Sequence, residues 1–315
     1  MSWALCYIAE LSELNAAHNR GRIKFVLHDL KKEPDMIRDY KYLKDRILSL
    51  TGVDLNAYKE AQMKRRIDQL VTKRGIADYP EYIELLKKDK DALEEFLNHF
   101  TINVSNFYRN PEQWEFMDKE VIPSLITRFG KNLKIWSAAC STGDEPYSLV
   151  MALSKHIPLN MIRIYATDID KTILFKAKRG IYVEKSLEDM PKEFKSRYFT
   201  RIEGKELEDI IKQPGNSDLK TLRVAYKISD EIKNRVTFKQ ANLLEAKDYP
   251  RDYHMIVCRN VLIYFTEEAK DEVFRRFHDS LMHEGILFIG STEQITNYKA
   301  INYVRKNSFF YERVD

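Results

Sequence analysis

Cysteine is scarce in this 315-residue chain. Cys6, Cys140 and Cys258 are odd in number, far apart and outside any CxxC spacing, so neither a disulfide framework nor a zinc site is indicated and a reduced, cytosolic setting is expected. No stretch approaches the roughly 18 unbroken apolar residues of a membrane-spanning helix. Glu10 and Glu13 interrupt the one weakly apolar run near the N-terminus, so no signal peptide is evident. Charge of one sign is not in excess either: 52 Lys and Arg stand against 48 Asp and Glu, a net charge of +4. Readers of nucleic acid usually show stronger basic clustering, so any basic docking surface must be local. What the chain does have, 44% hydrophobic and 32% charged residues, suffices for one large domain and a smaller one.

Glycine is also missing where a phosphate-binding loop would need it. Residues 133–148, LKIWSAACSTGDEPYS, pass from a β-rich run (Leu133, Ile135, Trp136) through small residues to a helix that opens at Asp144 and Glu145, with Pro146 allowed in its first turn. A strand, a small-residue loop and a helix N-terminus form the usual ligand crevice of an α/β sheet. A dinucleotide or nucleoside triphosphate would require several glycines and helix N–H groups aimed at phosphate. Here only Gly143 is present, and two acids would repel phosphate while suiting the helix dipole or an ammonium-bearing ligand. A cationic, phosphate-free adenosine ligand fits, S-adenosylmethionine foremost. Alternatively, Asp144 and Glu145 merely cap a helix.

Along the chain, residues 1–35 have no clear relation to the remainder, with a helix at 2–14 and a short strand at 23–27 as options; they read as an appended or mis-assigned leader that packs poorly. Residues 36–99 read as all helix. Tyr40, Leu43, Ile47, Leu48 and Leu50 keep a 3.6 period until Thr51-Gly52, and residues 55–74 carry Met63, Ile67, Leu70 and Val71 on one face. Residues 78–88 and 90–98 give two shorter helices. Lys59, Arg66 and Lys73 recur every seven residues beside the apolar face, forming a basic stripe. The stripe is either the solvated side of a small bundle or a docking face for an acidic partner. In residues 101–109, TINVSNFYR, the polar Asn103, Ser105 and Arg109 alternate with Val104 and Phe107, which suits either a capped turn or a ligand contact. A helix comes next, over 112–129.

The pattern then alternates. Residues 161–166 predict a second strand ending in Thr167-Asp168-Ile169-Asp170, where Asp168 suits ribose hydroxyls and Asp170 suits capping the next helix. Residues 182–234 break the rhythm with Pro191, Pro214 and Gly215-Asn216 and with β-like pieces at 198–202 and 222–226, which predicts an inserted antiparallel set whose 205–218 part is mobile. Strands resume at 236–241, before Asn242-Leu243-Leu244, and at 255–258, before Arg259-Asn260. A helix over 266–282 is capped by Thr266, and strands at 286–289 and 309–314 close the chain. The sum is a mostly parallel sheet with helices on both faces and a late antiparallel pair. Glu145, Asp168, Asn242 and Asn260 all fall at carboxyl ends of strands, where adenosine-type ligands bind.

TINVSNFYRN, IWSAACSTGDEPYS, YATDID, Asn242-Leu243-Leu244 and CRNVLIYF, in this order over residues 36–313, closely resemble the chemotaxis receptor methyltransferase family, protein-glutamate O-methyltransferases that use S-adenosylmethionine. The resemblance implies an all-α N-terminal domain (36–100), a linker and helix (101–130), and a Rossmann-like class I methyltransferase sheet (131–315) holding an inserted antiparallel β-subdomain. It implies that Asn103, Ser105, Arg109, Glu145, Asp168, Asn242, Leu243, Arg259 and Asn260 surround the cofactor, with no metal. Two departures stand out: Ser105 and Asp144 occupy positions where the family commonly has Thr and Glu. Members that tether to a receptor's C-terminal pentapeptide carry a glycine-rich loop in the β-subdomain, where this chain has only Gly204 and Gly215; recognition independent of that peptide is expected.

A substrate glutamate has a pKa of about 4.3 and is already ionised at neutral pH, so no general base is required. The enzyme's task is alignment in a dry site. Arg109 would position the incoming carboxylate or the cofactor's methionine carboxylate beside it, and Tyr264, just past the fourth strand, would hydrogen-bond the substrate or shield the methyl unless it is simply a core or rim tyrosine. Lys59, Arg66 and Lys73 would meet the acidic methylation helices of a membrane receptor. The enzyme is expected to be a cytoplasmic monomer that neither inserts into the membrane nor binds nucleic acid. A second reading is a nucleic-acid or small-molecule methyltransferase, against which Arg259-Asn260-Val261 stands where an Asn-Pro-Pro-Tyr-type base-flipping motif would lie. A third is a non-enzymatic cofactor sensor or scaffold.

Overall fold

The computed structural model describes residues 40–101 and 103–314. The expected leader, with its helix and strand, lies outside them. The chain divides into two compact units, one comprising residues 40–53 and Asp68–Asp89, the other Asp54–Ile67 and residues 90–314.

The first unit is helical. Helix α1 (Tyr40–Thr51) buries Tyr40, Leu43 and Ile47 and stops at Gly52, whose φ of +75° is open to glycine. Leu48, which the period placed on that face, is instead 43% exposed. Helix α2 (Glu60–Lys73) contributes its end, with Leu70 and Val71 buried. Helix α3 (Tyr79–Lys88) is capped by Asp78, whose side chain accepts the Glu81 N–H at 2.9 Å. Tyr79 crosses the Tyr40 ring and donates its hydroxyl to Asp68 at 2.6 Å.

The second unit corrects two expected helices. Residues 55–74 are not continuous: Asp54 caps a single 3-10 turn (Leu55–Ala57), Tyr58 is extended, and α2 begins only at Glu60. Tertiary pairing overrides helix propensity here. Tyr58 bridges Phe265, with Lys59 N–H donating to the Tyr264 carbonyl and Thr266 N–H to that of Ala57, both at 2.9 Å. Its ring meets Phe100 and Phe265 edge-on. Helix α4 (Lys90–Phe100) precedes the linker. The helix expected over 112–129 is α5 (Pro111–Phe116) and α6 (Ile122–Phe129) joined by a π-turn (Met117–Val121). Pro123 explains the turn, since proline lacks an N–H and crowds the carbonyl four residues back.

Strand β1 (Lys134–Ala138) leads into α7 (Asp144–Leu153), every residue of which is buried, and β2 (Arg163–Asp168) into α8 (Lys171–Arg179). The insertion comes next: β3 (Ile181–Tyr182), α9 (Lys192–Tyr198), β4 (Phe199–Glu203), α10 (Gly204–Ile211), β5 (Val224–Ile228) and the short α11 (Asp230–Lys233). Its strands form an antiparallel sheet in the order β3-β5-β4 over a core of Ile181, Ile202, Leu207, Leu219 and Ala225. Residues 205–218, expected to be mobile, are mostly helix: Leu207 is buried, and Asn216 donates to the Ile210 carbonyl at 2.7 Å.

The main sheet is completed by β6 (Val236–Gln240), β7 (Tyr253–Cys258), α12 (Glu267–Ser280), β8 (Leu281–Ile289), β9 (Tyr303–Arg305) and β10 (Phe310–Arg313). Thr266 caps α12 as its sequence predicts, accepting the Ala269 N–H. The seven strands run β6-β2-β1-β7-β8-β10-β9; the first five are parallel, and β10 is antiparallel to both neighbours. This is the class I methyltransferase sheet, with strand order reversing beside β1 and so leaving a crevice at the carboxyl ends of β1, β2 and β7. Strands β3 and β9 are too short to show a period in the sequence. Among the described residues, no helix is long and apolar enough to cross a membrane.

Candidate active site

The crevice is an open cleft of about 1000 Å³ when the solvent space at its mouth is counted in. Its floor is the loop between β1 and α7. Ala139 and Ser141 sit there at φ +62° and +49°, a conformation L residues rarely adopt, and Gly143 at +88° begins α7. A Cβ on Gly143 would stand 3.0 Å from that of Ala177 and 3.1 Å from the Tyr147 ring, so glycine is required for both space and backbone. The loop is held from below: Cys140 N–H donates to the Thr167 carbonyl at 2.9 Å and Ser141 N–H to the Asp168 carboxylate at 2.8 Å. Tyr182, from the insertion, donates its hydroxyl to the Thr142 carbonyl at 2.8 Å.

Two carboxylates reach the cleft from this scaffold. Asp168, at the end of β2 and 7% exposed, also accepts the Asp170 N–H at 3.0 Å; burial pushes its carboxyl up to about 6. Glu145, in the first turn of α7 and 9% exposed, accepts the Ser137 hydroxyl at 2.8 Å. Burial raises its pKa, and the Arg259 guanidinium 3.6 Å away opposes the rise. Asp144 is fully buried outside the cleft lining, accepts the Thr142 hydroxyl, and is likewise pushed by burial up to about 6. Ser141 adds a hydroxyl that is buried without a hydrogen-bond partner among the described residues.

The linker crosses the cleft under tight constraint. Phe107 packs edge-on against Tyr182 and Phe199, and the Tyr108 N–H donates to the Ser148 hydroxyl at 3.1 Å. Trp114 donates its indole N–H to the Arg109 carbonyl at 3.0 Å, leaving the half-buried Arg109 side chain to reach the Val104 carbonyl, also at 3.0 Å. Asn103 donates to Thr101 at 2.9 Å and to Asp170 at 3.2 Å. Asp170 thus ties the linker down while capping α8 through the Thr172 and Ile173 N–H groups.

At the end of β7, Arg259 turns inward rather than toward solvent, donating to Asn110 and Gln113 from the linker and α5 and lying over the Trp114 and Phe288 rings. Burial lowers its pKa, while Glu145 holds the charge. Asn260 comes next at φ +62°, then a 3-10 turn (Leu262–Tyr264) that brings Tyr264 to the rim. Burial raises the Tyr264 phenol, and the Arg66 and Arg109 guanidiniums pull it back. After β6, Asn242 accepts the Leu244 N–H at 3.0 Å and so folds the turn that presents Leu243.

Asn103, Ser105, Arg109, Glu145, Asp168, Asn242, Leu243, Arg259, Asn260 and Tyr264 therefore all line one cleft. The basic residues are placed differently. Lys59 precedes α2 instead of lying on it, Arg66 is partly buried with its guanidinium donating to the His99 carbonyl, and Lys73 is exposed at the end of α2. Sequence reasoning misses Tyr58, Met63 and Phe100, which give the cleft an apolar wall, and Glu293, which holds its rim loop. Of these, only Glu293 leaves a sequence signal, an acid in a polar run directly after a buried strand. Among the described residues, no group of three His, Cys, Asp or Glu side chains could hold a metal.

Two family models match the chain: an all-alpha domain of CheR methyltransferase over residues 38–101, and the SAM binding domain of CheR methyltransferase over residues 103–309. A chemotaxis protein methyltransferase of Listeria innocua is 37% identical over 278 residues, covering 88% of this chain and 98% of that protein. Its counterpart from Listeria monocytogenes is 36% identical over the same length and coverage. One from Borreliella burgdorferi is 27% identical over 264 residues, covering 80% of this chain and 87% of that protein.

Proposed function

Because the chain belongs to the CheR methyltransferase family and is an S-adenosylmethionine-dependent methyltransferase, we propose that its substrates are glutamate side chains of membrane chemoreceptors. The products are glutamate methyl esters and S-adenosylhomocysteine, and the outcome is sensory adaptation in chemotaxis. One observation carries this reading: a single cleft combines two buried carboxylates, Asp168 and Glu145, with a partly exposed guanidinium, Arg109, and a phenol, Tyr264.

The donor set fits the cofactor. Asp168 keeps acceptor capacity for ribose hydroxyls, Glu145 suits an ammonium group, and the unpartnered Ser141 hydroxyl has a ligand to meet. Asn103, Ser105, Asn242, Leu243, Arg259 and Asn260 complete the proposed cofactor site. When bound, S-adenosylmethionine supplies a sulfonium methyl, whose bonding electron pair stays with sulfur as a carboxylate oxygen takes the carbon. The protein's part is orientation. Arg109 aligns the incoming carboxylate without gripping it so strongly that its nucleophilicity is lost, and Tyr264 hydrogen-bonds or shields the reacting groups. The apolar wall of Tyr58, Met63 and Phe100 excludes water.

Lys59, Arg66 and Lys73 are proposed to meet the acidic methylation helices. Recognition without the receptor's C-terminal pentapeptide is proposed because the insertion has no glycine-rich loop: Gly204 begins α10, and Gly215 packs on Phe175. The enzyme is proposed to act as a cytoplasmic monomer. The decisive test supplies radiolabelled methyl donor, receptor membranes and either wild-type protein or Arg109→Ala. Base-labile label on the receptor, lost in the variant, is expected; base-stable label or an unlabelled receptor would refute the assignment.

A further inference from the structure

We propose that Glu293 is a positioning residue for methyl transfer: its carboxylate is the built-in anion of the loop after β7 and sets the backbone that carries Asn260 and Tyr264. This rests on the roles proposed above for those two residues.

Glu293 is 4% exposed, and its carboxylate accepts four backbone N–H groups. One carboxylate oxygen accepts Val261 at 2.8 Å and Leu262 at 2.6 Å; the other accepts Asn260 at 2.7 Å and Gly290 at 2.9 Å. Three consecutive N–H groups converging on one point make a nest, a backbone shape that ordinarily cradles a bound anion. Here the occupant is a side chain. It stabilises a conformation that would otherwise not persist, with Asn260 at φ +62°, the Leu262 N–H buried and those of Asn260 and Val261 partly so.

Gly290 is the second part of the device. A Cβ there would stand 2.6 Å from the Glu293 oxygen and 2.9 Å from the Asn260 nitrogen, so only glycine lets the carboxylate reach the loop. The effect passes directly to the rim. The Val261 and Leu262 carbonyls accept the N–H groups of Tyr264 and Phe265 at 3.2 and 3.1 Å, so the turn fixed by Glu293 is the turn that carries the Tyr264 phenol. Four received hydrogen bonds leave no place for a donor on either oxygen. A glutamine, equal in size, would turn an NH2 against two N–H groups.

The test compares Glu293→Gln, Glu293→Asp and Gly290→Ala with wild type. The readouts are S-adenosylhomocysteine affinity, kcat and KM for receptor methylation, and hydrogen exchange at the Asn260, Val261 and Leu262 amides. Glu293→Gln is expected to deprotect those amides and to weaken product affinity or kcat by about tenfold or more per folded molecule. Gly290→Ala should do the same without touching the carboxylate, and Glu293→Asp should restore part of the loss. A merely structural glutamate would lower the folded fraction and leave each folded molecule's affinity and kcat unchanged. If Glu293→Gln does not fold, Glu293→Asp and Gly290→Ala decide by the same readouts. Unchanged amide exchange, or affinity and kcat within about twofold of wild type, would overturn the proposal. Failure of wild-type protein to bind S-adenosylhomocysteine would instead defeat the functional reading, and amide exchange alone would then decide whether the clasp exists.

Discussion

Arg259 donates from Nη2 to the carbonyl oxygen of Arg109 at 2.8 Å, across 150 positions of sequence. One arginine holds the other. The buried guanidinium fixes the backbone at Arg109, and the Arg109 side chain is left half-buried at the cleft rather than drawn into the core. Arg259 thus carries a structural load that Arg109 does not, and the stability effects of their substitutions should separate accordingly.

Arg259→Ala is expected to destabilise the fold by about 3–5 kcal/mol, because it leaves the buried Glu145 carboxylate without its cation, takes the guanidinium from the Gln113 and Asn110 side-chain oxygens, and removes one of the two donors on the Arg109 carbonyl. Arg259→Lys should recover only part of this, since an ammonium cannot span three acceptors and stack on Phe288 as well. Urea denaturation checks both. A loss below about 1 kcal/mol in the alanine variant would contradict the burial argument.

Arg109→Ala should leave the fold within about 0.5 kcal/mol of wild type, since the side chain's bond to the Val104 carbonyl is solvent-exposed. Receptor methylation should fall by about a hundredfold or more in kcat. Matching denaturation curves with a collapsed methylation rate is the expected pair of results; equal loss of both would make Arg109 a structural residue.

Asp144 and Asp168 give the pH dependence two signs. Burial pushes both up to about 6, so each binds its proton more tightly when folded. Their contribution to stability is present below the ordinary carboxylate range, near pH 4, and is lost as pH rises through about 6. Ligand binding should run the other way: an Asp168 that accepts ribose hydroxyls, as proposed, does so best when ionised, so S-adenosylhomocysteine affinity should fall by up to about tenfold per pH unit below 6. Calorimetric titration between about pH 5 and pH 8 measures it, and Asp168→Asn should flatten the profile. A wild-type profile that is already flat would remove Asp168 from the site.

The range of each contact decides whether the sequence shows it or hides it. The β1 loop, Asp168, the Asp170 cap and the Thr266 cap are legible because each is written within a few neighbouring residues. The break at Tyr58 is hidden, since the pairing that causes it lies with Phe265. The inward turn of Arg259 is equally hidden, because its acceptors are some 150 positions away in the linker and α5. Glu293 shows in the sequence only as an acid in a polar run after a buried strand, and its role is hidden until the three amides it gathers are brought beside it. Residues legible as candidate site residues, and found lining the cleft, thus depend on others that only the fold discloses.

The docking proposal is sharpened by the same distinction. Arg66→Glu is expected to lower receptor methylation, but its guanidinium also donates to the His99 carbonyl and acts on Tyr264, so reversal there disturbs the rim as well. Lys59 is the cleaner probe. Its tie to Tyr264 runs through the backbone N–H, which any residue but proline provides, and nearby Glu267 already has Lys270 at 2.7 Å. Lys59→Glu should therefore raise the receptor KM several-fold, by about 1 kcal/mol of lost attraction, with S-adenosylhomocysteine affinity unchanged. The wild-type advantage should shrink as salt rises, because the Debye length falls from about 8 Å at physiological ionic strength to about 3 Å at 1 M. A receptor KM unmoved by Lys59→Glu, or a defect insensitive to salt, would show that this charge does not meet the receptor.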